Sequence, residues 1–176
     1  YKYKVGNLCG MDSALVNMAL TPAANAGDDA GFALCADADS VNLFGLLGSE
    51  ADPGGAWTDP LGTVSNGYFN PVTDQEGSYR YVVIGACNSD TAFVVTAILA
   101  LPFAGTALSE DTVTYNDQAS VDLFTLLQNN DPGGTWNDDD GSGGLSGSVF
   151  TATEAMFLQS YHFTYTVSND CGSSST

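Results

Sequence analysis

Apolar and polar residues alternate along several stretches of this chain with the period of two that marks a strand buried on one face. "GFALCADADS" (31–40), "NGYFNP" (66–71), "GSYRYVVIGA" (77–86) and "TAFVVTAILALP" (91–102) all read this way, or as β-branched runs. Gly, Asn, Asp and Pro bound each of them, as turn residues should. Helical periodicity is nearly absent. "VNLFGLL" (41–47) fits a single helical turn or a bulged strand, because Gly45 and Gly48 interrupt anything longer. Strands about ten residues apart, with turn chemistry between them, predict an all-β chain built as an antiparallel sandwich of about seven strands in about 80 residues.

The pattern also repeats. "SVNLFGLL" (40–47) returns as "SVDLFTLL" (120–127), and "ADPGGAWTDP" (51–60) returns as "NDPGGTWNDD" (130–139). "YRYVV", with Cys87 eight positions after Tyr79, returns as "FTYTV", with Cys171 eight after Phe163, and opens the chain as "YKYKV" with Cys9 eight after Tyr1. Pro22 and Pro102 each close an apolar run. A period near 80 residues is too long for a solenoid and suits a small domain. The expected organisation is the terminal strands of a preceding repeat (1–22), one complete repeat (23–101) and a second repeat (102–176), drawn from a longer array.

Asp-Pro-Gly-Gly is turn chemistry: proline presets φ at the second position, and glycine supplies positive φ at no steric cost. The turn delivers a strand whose first large residue is Trp57 or Trp136, the only tryptophans in the chain. Both are expected in the core, as large apolar masses between two sheets. The other reading is an exposed indole stacking on sugar rings.

Charge narrows the function. Three Lys and Arg stand against 21 Asp and Glu, for a net charge of −18. Phosphate backbones and anionic membranes need a basic surface, so nucleic acid is excluded as a partner and membrane binding is disfavoured. No apolar run is long enough to cross a bilayer as a helix. Lys2, Lys4 and Arg80 alternate with Tyr1, Tyr3, Tyr79 and Tyr81. That spacing sends the rings into a core and the cations outward, toward carboxylates on neighbouring strands.

The acids have two readings, a solubilising surface or calcium held in loops. For calcium, the candidates are Asp28 and Asp29 in "GDDAG", Asp37 and Asp39 in "ADADS", and Asp138, Asp139 and Asp140 in "NDDDG". In a strand Asp37 and Asp39 would share a face. None of the three stretches has the EF-hand spacing.

Cys35 and Cys87 fall in one repeat and can face each other across a sandwich. A disulfide between them would close a loop of about 50 residues, worth roughly 4 kcal/mol in the chain-entropy model. Cys9 would find its partner upstream. Cys171 lacks an in-repeat partner, because Tyr115 stands where Cys35 stands in the first repeat. No Cys/His cluster suggests zinc.

In the order Cys35, "NLF" (42–44), "DPGGAW" (52–57), "GYFNPVTDQEGSYRYVV" (67–83) and Cys87, the chain resembles the immunoglobulin-like repeats of very large surface and secreted adhesins of Bacteroidota. These include the SprB-like gliding-motility adhesins exported by type IX secretion. The second repeat departs from the pattern, since "VFTATEAMFLQSYHF" (149–163) lacks the Phe-Asn-Pro segment. The resemblance implies tandem immunoglobulin-like β-sandwich domains on a bacterial cell surface. The implied partners are neighbouring repeats, of the same or of identical chains, and surface polysaccharide. Asp-Ser/Thr-aliphatic triplets, similar to the O-glycosylation acceptor pattern of that phylum, make Ser13, Ser40, Thr91 and Thr112 candidate acceptors. The plainer account is that Asp-Ser and Asp-Thr are common where strands begin.

Catalytic signals are missing. The single histidine, His162, stands between Tyr161 and Phe163 in a strand pattern with no nucleophile at a recognisable spacing. Three functional classes follow, none of them enzymatic in this segment. The first is a structural or adhesive repeat of a long extracellular protein or filament, acting in adhesion or gliding motility. The second is a carbohydrate-binding module of a secreted enzyme, and the third a filament subunit that exchanges strands between chains.

Overall fold

A computed structural model of the chain describes residues 1–108, 119–153, 156 and 159–176. The fold is all-β with several sheets, and no helix among the described residues is long and apolar enough to cross a membrane. Two compact units emerge, Tyr1–Phe32 with Asp39–Ala97, and Ala33–Ala38 with Ile98–Thr176.

The first strands are β1 (Lys2–Asn7), β2 (Gly10–Leu15), β3 (Ala30–Cys35) and β4 (Val41–Asn42). A 3-10 turn, Leu43–Leu46, settles the "VNLFGLL" ambiguity, and Asn42 caps it by accepting from Phe44 N–H at 3.0 Å. There follow β5 (Ala56–Thr58), β6 (Val64–Ser65), β7 (Tyr68–Phe69), β8 (Gly77–Ile84) and β9 (Ser89–Leu99). One sheet has the order β3-β9-β8-β5-β6, and β4 pairs with β7. Asp29 accepts from Phe93 N–H, and Gly31 lies against the Val95 carbonyl, so β3 and β9 run the same way.

Period-two alternation explains the core of this unit. In β8, Tyr79, Tyr81 and Val83 are buried while Ser78, Arg80 and Ile84 face out; in β9, Ala92, Val94 and Thr96 are buried while Thr91, Phe93 and Val95 are exposed. From the other side come Leu43, Leu47 and Phe69, and the Phe69 ring meets Tyr79 edge-on at 5.7 Å. Arg80 stands outside as expected, although Thr58 and Phe93 oppose it across the ladder in place of the anticipated carboxylates.

The second unit contains β10 (Thr106–Ala107), β11 (Ser120–Asp122), a 3-10 turn at Leu123–Leu126, β12 (Leu127–Gln128), β13 (Thr135–Asp138), β14 (Leu145–Ser146), β15 (Val149–Thr151), β16 (Phe163–Asn169) and β17 (Gly172–Ser175). Its sheets read β13-β16-β17, β11-β15-β14 and β10-β12. Tyr165 and Val167 pack with Ala104; Leu123, Phe150 and Ala152 form a second cluster, and Trp136 touches both.

One expectation fails. β1 and β2 pair in full register from Lys2–Leu15 to Asn7–Gly10, yet every residue from Tyr1 to Ala23 is exposed. Tyr1 is 88% and Tyr3 69% exposed, where Tyr79 and Tyr81 are 2% and 1%. Alternation marks the face that needs cover, but no element among the described residues supplies it.

Candidate functional site

The recurring Asp-Pro-Gly-Gly-x-Trp segment folds around a buried tyrosine. The Tyr81 hydroxyl donates to the Asp52 carbonyl at 2.7 Å and accepts from Gly55 N–H at 2.7 Å. Trp57 stacks at a tilt on Tyr81 with ring centroids 4.9 Å apart, and Phe44 meets Tyr81 edge-on at 5.6 Å. Gly54 has φ of +90°, a conformation that glycine adopts without penalty. Gly55 is required for a different reason: a Cβ there would lie 2.5 Å from both the Tyr81 ring and the Val82 carbonyl. The aspartate closes a reciprocal pair, since its N–H donates to the Asn25 carbonyl and its carboxylate accepts from Asn25 N–H at 2.9 Å.

The second unit builds the same arrangement independently. The Tyr165 hydroxyl donates to the Asp131 carbonyl at 2.8 Å and accepts from Gly134 N–H at 2.9 Å, and Trp136 and Phe124 both lie 5.2 Å from its ring. Asp131 forms the reciprocal pair with Phe103. Trp57 is 7% exposed and Trp136 half-buried. Pattern reading found the tryptophans but missed the tyrosine hydroxyls that organise them. The available signal was that Tyr81 and Tyr165 recur with the motif.

One shallow recess of about 280 Å³ lies over the first cluster, lined by Phe44, Trp57, Tyr68 and Tyr81 with the amides of Asn42 and Asn66. Tyr68 is its most open ring, at 48% exposure.

The cysteines pair otherwise than expected. Cys35 bonds Cys171, 136 residues away, while Cys87 and Cys9 are exposed free thiols. The reason is strand geometry. Cys87 lies in the turn that precedes β9, whereas Ala36, next to Cys35, donates to the carbonyl of Leu99 at the far end of β9. At about 3.3 Å per residue the two ends of β9 are on the order of 30 Å apart, far beyond disulfide reach. Cys35 and Cys171 lie together in the second compact unit.

The acidic stretches do not converge. Among the described residues no group of three or more His, Cys, Asp or Glu side chains is placed to hold a metal. Asp29 accepts from Phe93 N–H at 2.7 Å, and Asp28 lies near Gly48. Asp37 falls in a turn after β3 and Asp39 beyond it, so they share no strand face. Asp138 accepts from Ser142 N–H, Ser142 hydroxyl and Gly143 N–H; Asp139 accepts from Thr164; Asp140 takes His162 Nδ1 and N–H at 2.8 and 2.7 Å. The Ser142 N–H first, with the other loop donors, holds the Asp138 carboxyl below its usual range, and the His162 ring does the same for Asp140.

A backbone role recurs along the chain: Asp12, Asp52, Asp59, Asp74, Asp90, Asp122 and Asp131 each accept a backbone N–H. Asp12, Asp59, Asp74 and Asp122 serve their local backbone, as a carboxylate on one methylene can, whereas Asp52, Asp90 and Asp131 accept from the distant Asn25, Ala26 and Phe103. These bonds give many of the aspartates a structural role.

Ser13, Ser40 and Thr91 are exposed, while Thr112 lies outside the described residues. The aspartates of two of these triplets have structural partners, Asp12 at Ser13 N–H and Asp90 at Ala26 N–H. His162 sits just before β16, exposed, against Asp140.

No protein-family model matches the chain, and no curated protein matches it significantly in sequence.

Proposed function

We propose that the chain is a structural repeat segment of a long extracellular bacterial surface protein or filament, serving adhesion or gliding motility, with units that are tandem immunoglobulin-like sandwiches. The observation that carries this reading is the twice-built tyrosine cluster. The tryptophans, glycines and aspartates that a ligand site would draw on are engaged in holding each unit together. The order β3-β9-β8-β5-β6 opposite the β4-β7 pair supports the immunoglobulin-like assignment. A disulfide suits an oxidising, cell-surface compartment. Antibodies against the chain should label intact cells of its source, and loss of the protein should weaken attachment or spreading. Labelling only after lysis overturns the proposal.

The recess over Trp57 supports a second reading, polysaccharide binding through Tyr68, Asn42 and Asn66. Affinity electrophoresis through gels of soluble polysaccharide tests it. Retardation that Tyr68→Ala abolishes would favour this reading over the purely structural one.

A further inference from the structure

Three β-hairpins in this chain carry a cysteine at the tip, and one of the three is bonded. The tips are Cys9 between β1 and β2, Cys87 between β8 and β9, and Cys171 between β16 and β17. The tips at Cys9 and Cys171 are built alike. In "NLCG" the Asn7 carboxamide oxygen accepts from Cys9 N–H at 2.8 Å, and in "NDCG" Asn169 accepts from Cys171 N–H at 2.8 Å. Gly10 and Gly172 follow with φ of 152° and 129°. What differs is the neighbour. Around Cys171, Asn169 Nδ2 donates to the Ala100 carbonyl at 3.0 Å, Ala36 N–H donates to the Leu99 carbonyl at 2.9 Å, and Cys35 on that strand end closes the bond.

In the first repeat the strand cysteine, Cys35, and the tip cysteine, Cys87, stand at opposite ends of β9, so a bond between them is out of reach. The observed bond joins the strand cysteine of one sequence repeat to the tip cysteine of the next.

We infer that Cys87 and Cys9 are tip cysteines of the same kind, each made to bond a strand cysteine one repeat earlier in a unit of this same type. The inference rests on reading the chain as part of an array. It removes the difficulty posed by Tyr115: Cys171 takes its partner from the repeat before, not from its own. It also states what covers the exposed hairpin. Tyr1, Tyr3, Val5 and Cys9 align residue for residue with Tyr79, Tyr81, Val83 and Cys87. The bare face of β1 and β2 is therefore matched to the core of a unit bearing Asp-Pro-Gly-Gly-x-Trp. A second copy of this chain cannot serve, because both of its motifs already enclose Tyr81 and Tyr165 and its Cys35 is bonded. Each new bond forms as two thiols give two protons and two electrons to an exogenous disulfide such as oxidised glutathione, which leaves as two thiols.

The test is a longer chain with a second copy of residues 23–78 joined directly ahead of Tyr1. It is oxidised in a glutathione couple, alkylated without reduction and mapped by peptide mass. The Cys35–Cys171 bond serves as the internal control for folding. The expected result is a bond from the added strand cysteine to Cys87, with Cys9 alkylated. Tyr1 and Tyr3 should be nitrated at least tenfold more slowly than in the 176-residue chain. Cys87→Ser in the longer chain should leave the added cysteine free and not divert it to Cys9. If Tyr1 and Tyr3 become protected but the added cysteine bonds Cys9, or bonds nothing, the offset pairing is overturned while the array reading stands. If Tyr1 and Tyr3 react equally in both chains, the array reading fails and takes the inference with it.

Discussion

The hairpins β1–β2 and β8–β9 share a sequence pattern and differ in almost everything else. Tyr3 and Tyr81 occupy the same place in the repeat, yet Tyr3 is 69% exposed and Tyr81 is 1%. Tyr81 has a carbonyl and an N–H for its hydroxyl, with two aromatic rings for its faces. An isolated two-stranded hairpin is marginal in water, so local pairing cannot be the source of stability. What separates the two hairpins is the Asp-Pro-Gly-Gly-x-Trp segment and the capped Leu43–Leu46 turn that close over one of them.

The largest effect should come at the hairpin tips. Cys171→Ser opens a loop of 136 residues, which the chain-entropy model values at about 5 kcal/mol. Cys9→Ser should leave the denaturant midpoint unchanged. Equal effects would mean that the bond does not constrain the unfolded chain.

Next in size, Tyr81→Ala removes a fully buried ring and should cost about 4 kcal/mol, whereas Tyr3→Ala should stay within about 0.5 kcal/mol of the parent. Urea titration followed by tryptophan fluorescence reads the first unit through Trp57. A matching loss at Tyr3 would show that the first hairpin is covered in solution.

Gly55→Ala should cost about 1–3 kcal/mol as overpacking against Tyr81. Gly10→Ala, with open space around it but φ of 152°, should cost less. Tyr81→Phe keeps the ring and loses both hydroxyl bonds, for about 1–2 kcal/mol, and Tyr3→Phe should do nothing measurable.

The smallest effect is a pH dependence. Asp90, at the start of β9, is held below its usual range first by Ala26 N–H and then by Thr91 N–H. Its folded-state value is lowered, so its stabilisation is present above the unfolded carboxylate range and is lost as pH falls through the folded value. Asp90→Asn should flatten that acid limb and add no pH dependence near neutral pH. An unchanged acid limb would remove the Ala26 contact from the account.

Much of this molecule could be read from its residues. Alternation in "GSYRYVV" identified which side chains turn inward because a strand's faces are set by local geometry alone. Asp-Pro-Gly-Gly announced a turn because proline and glycine act on their own φ. The repeat followed from self-comparison of the chain. The Cys35–Cys87 expectation failed because a sequence repeat does not say which end of a strand each cysteine occupies. Adjacency in sequence likewise does not say where side chains turn: Asp138, Asp139 and Asp140 go to Ser142, Thr164 and His162.

By itself, then, the sequence determined strands, turns, the repeat and the side chains that need burial, since these depend on single residues and their immediate neighbours. Only the tertiary structure decided which tyrosines are covered, that Gly55 must lie against a ring, and that Cys35 meets Cys171. Those outcomes depend on where segments tens of residues apart are brought together, and packing and the lengths of the strands between them fix that distance.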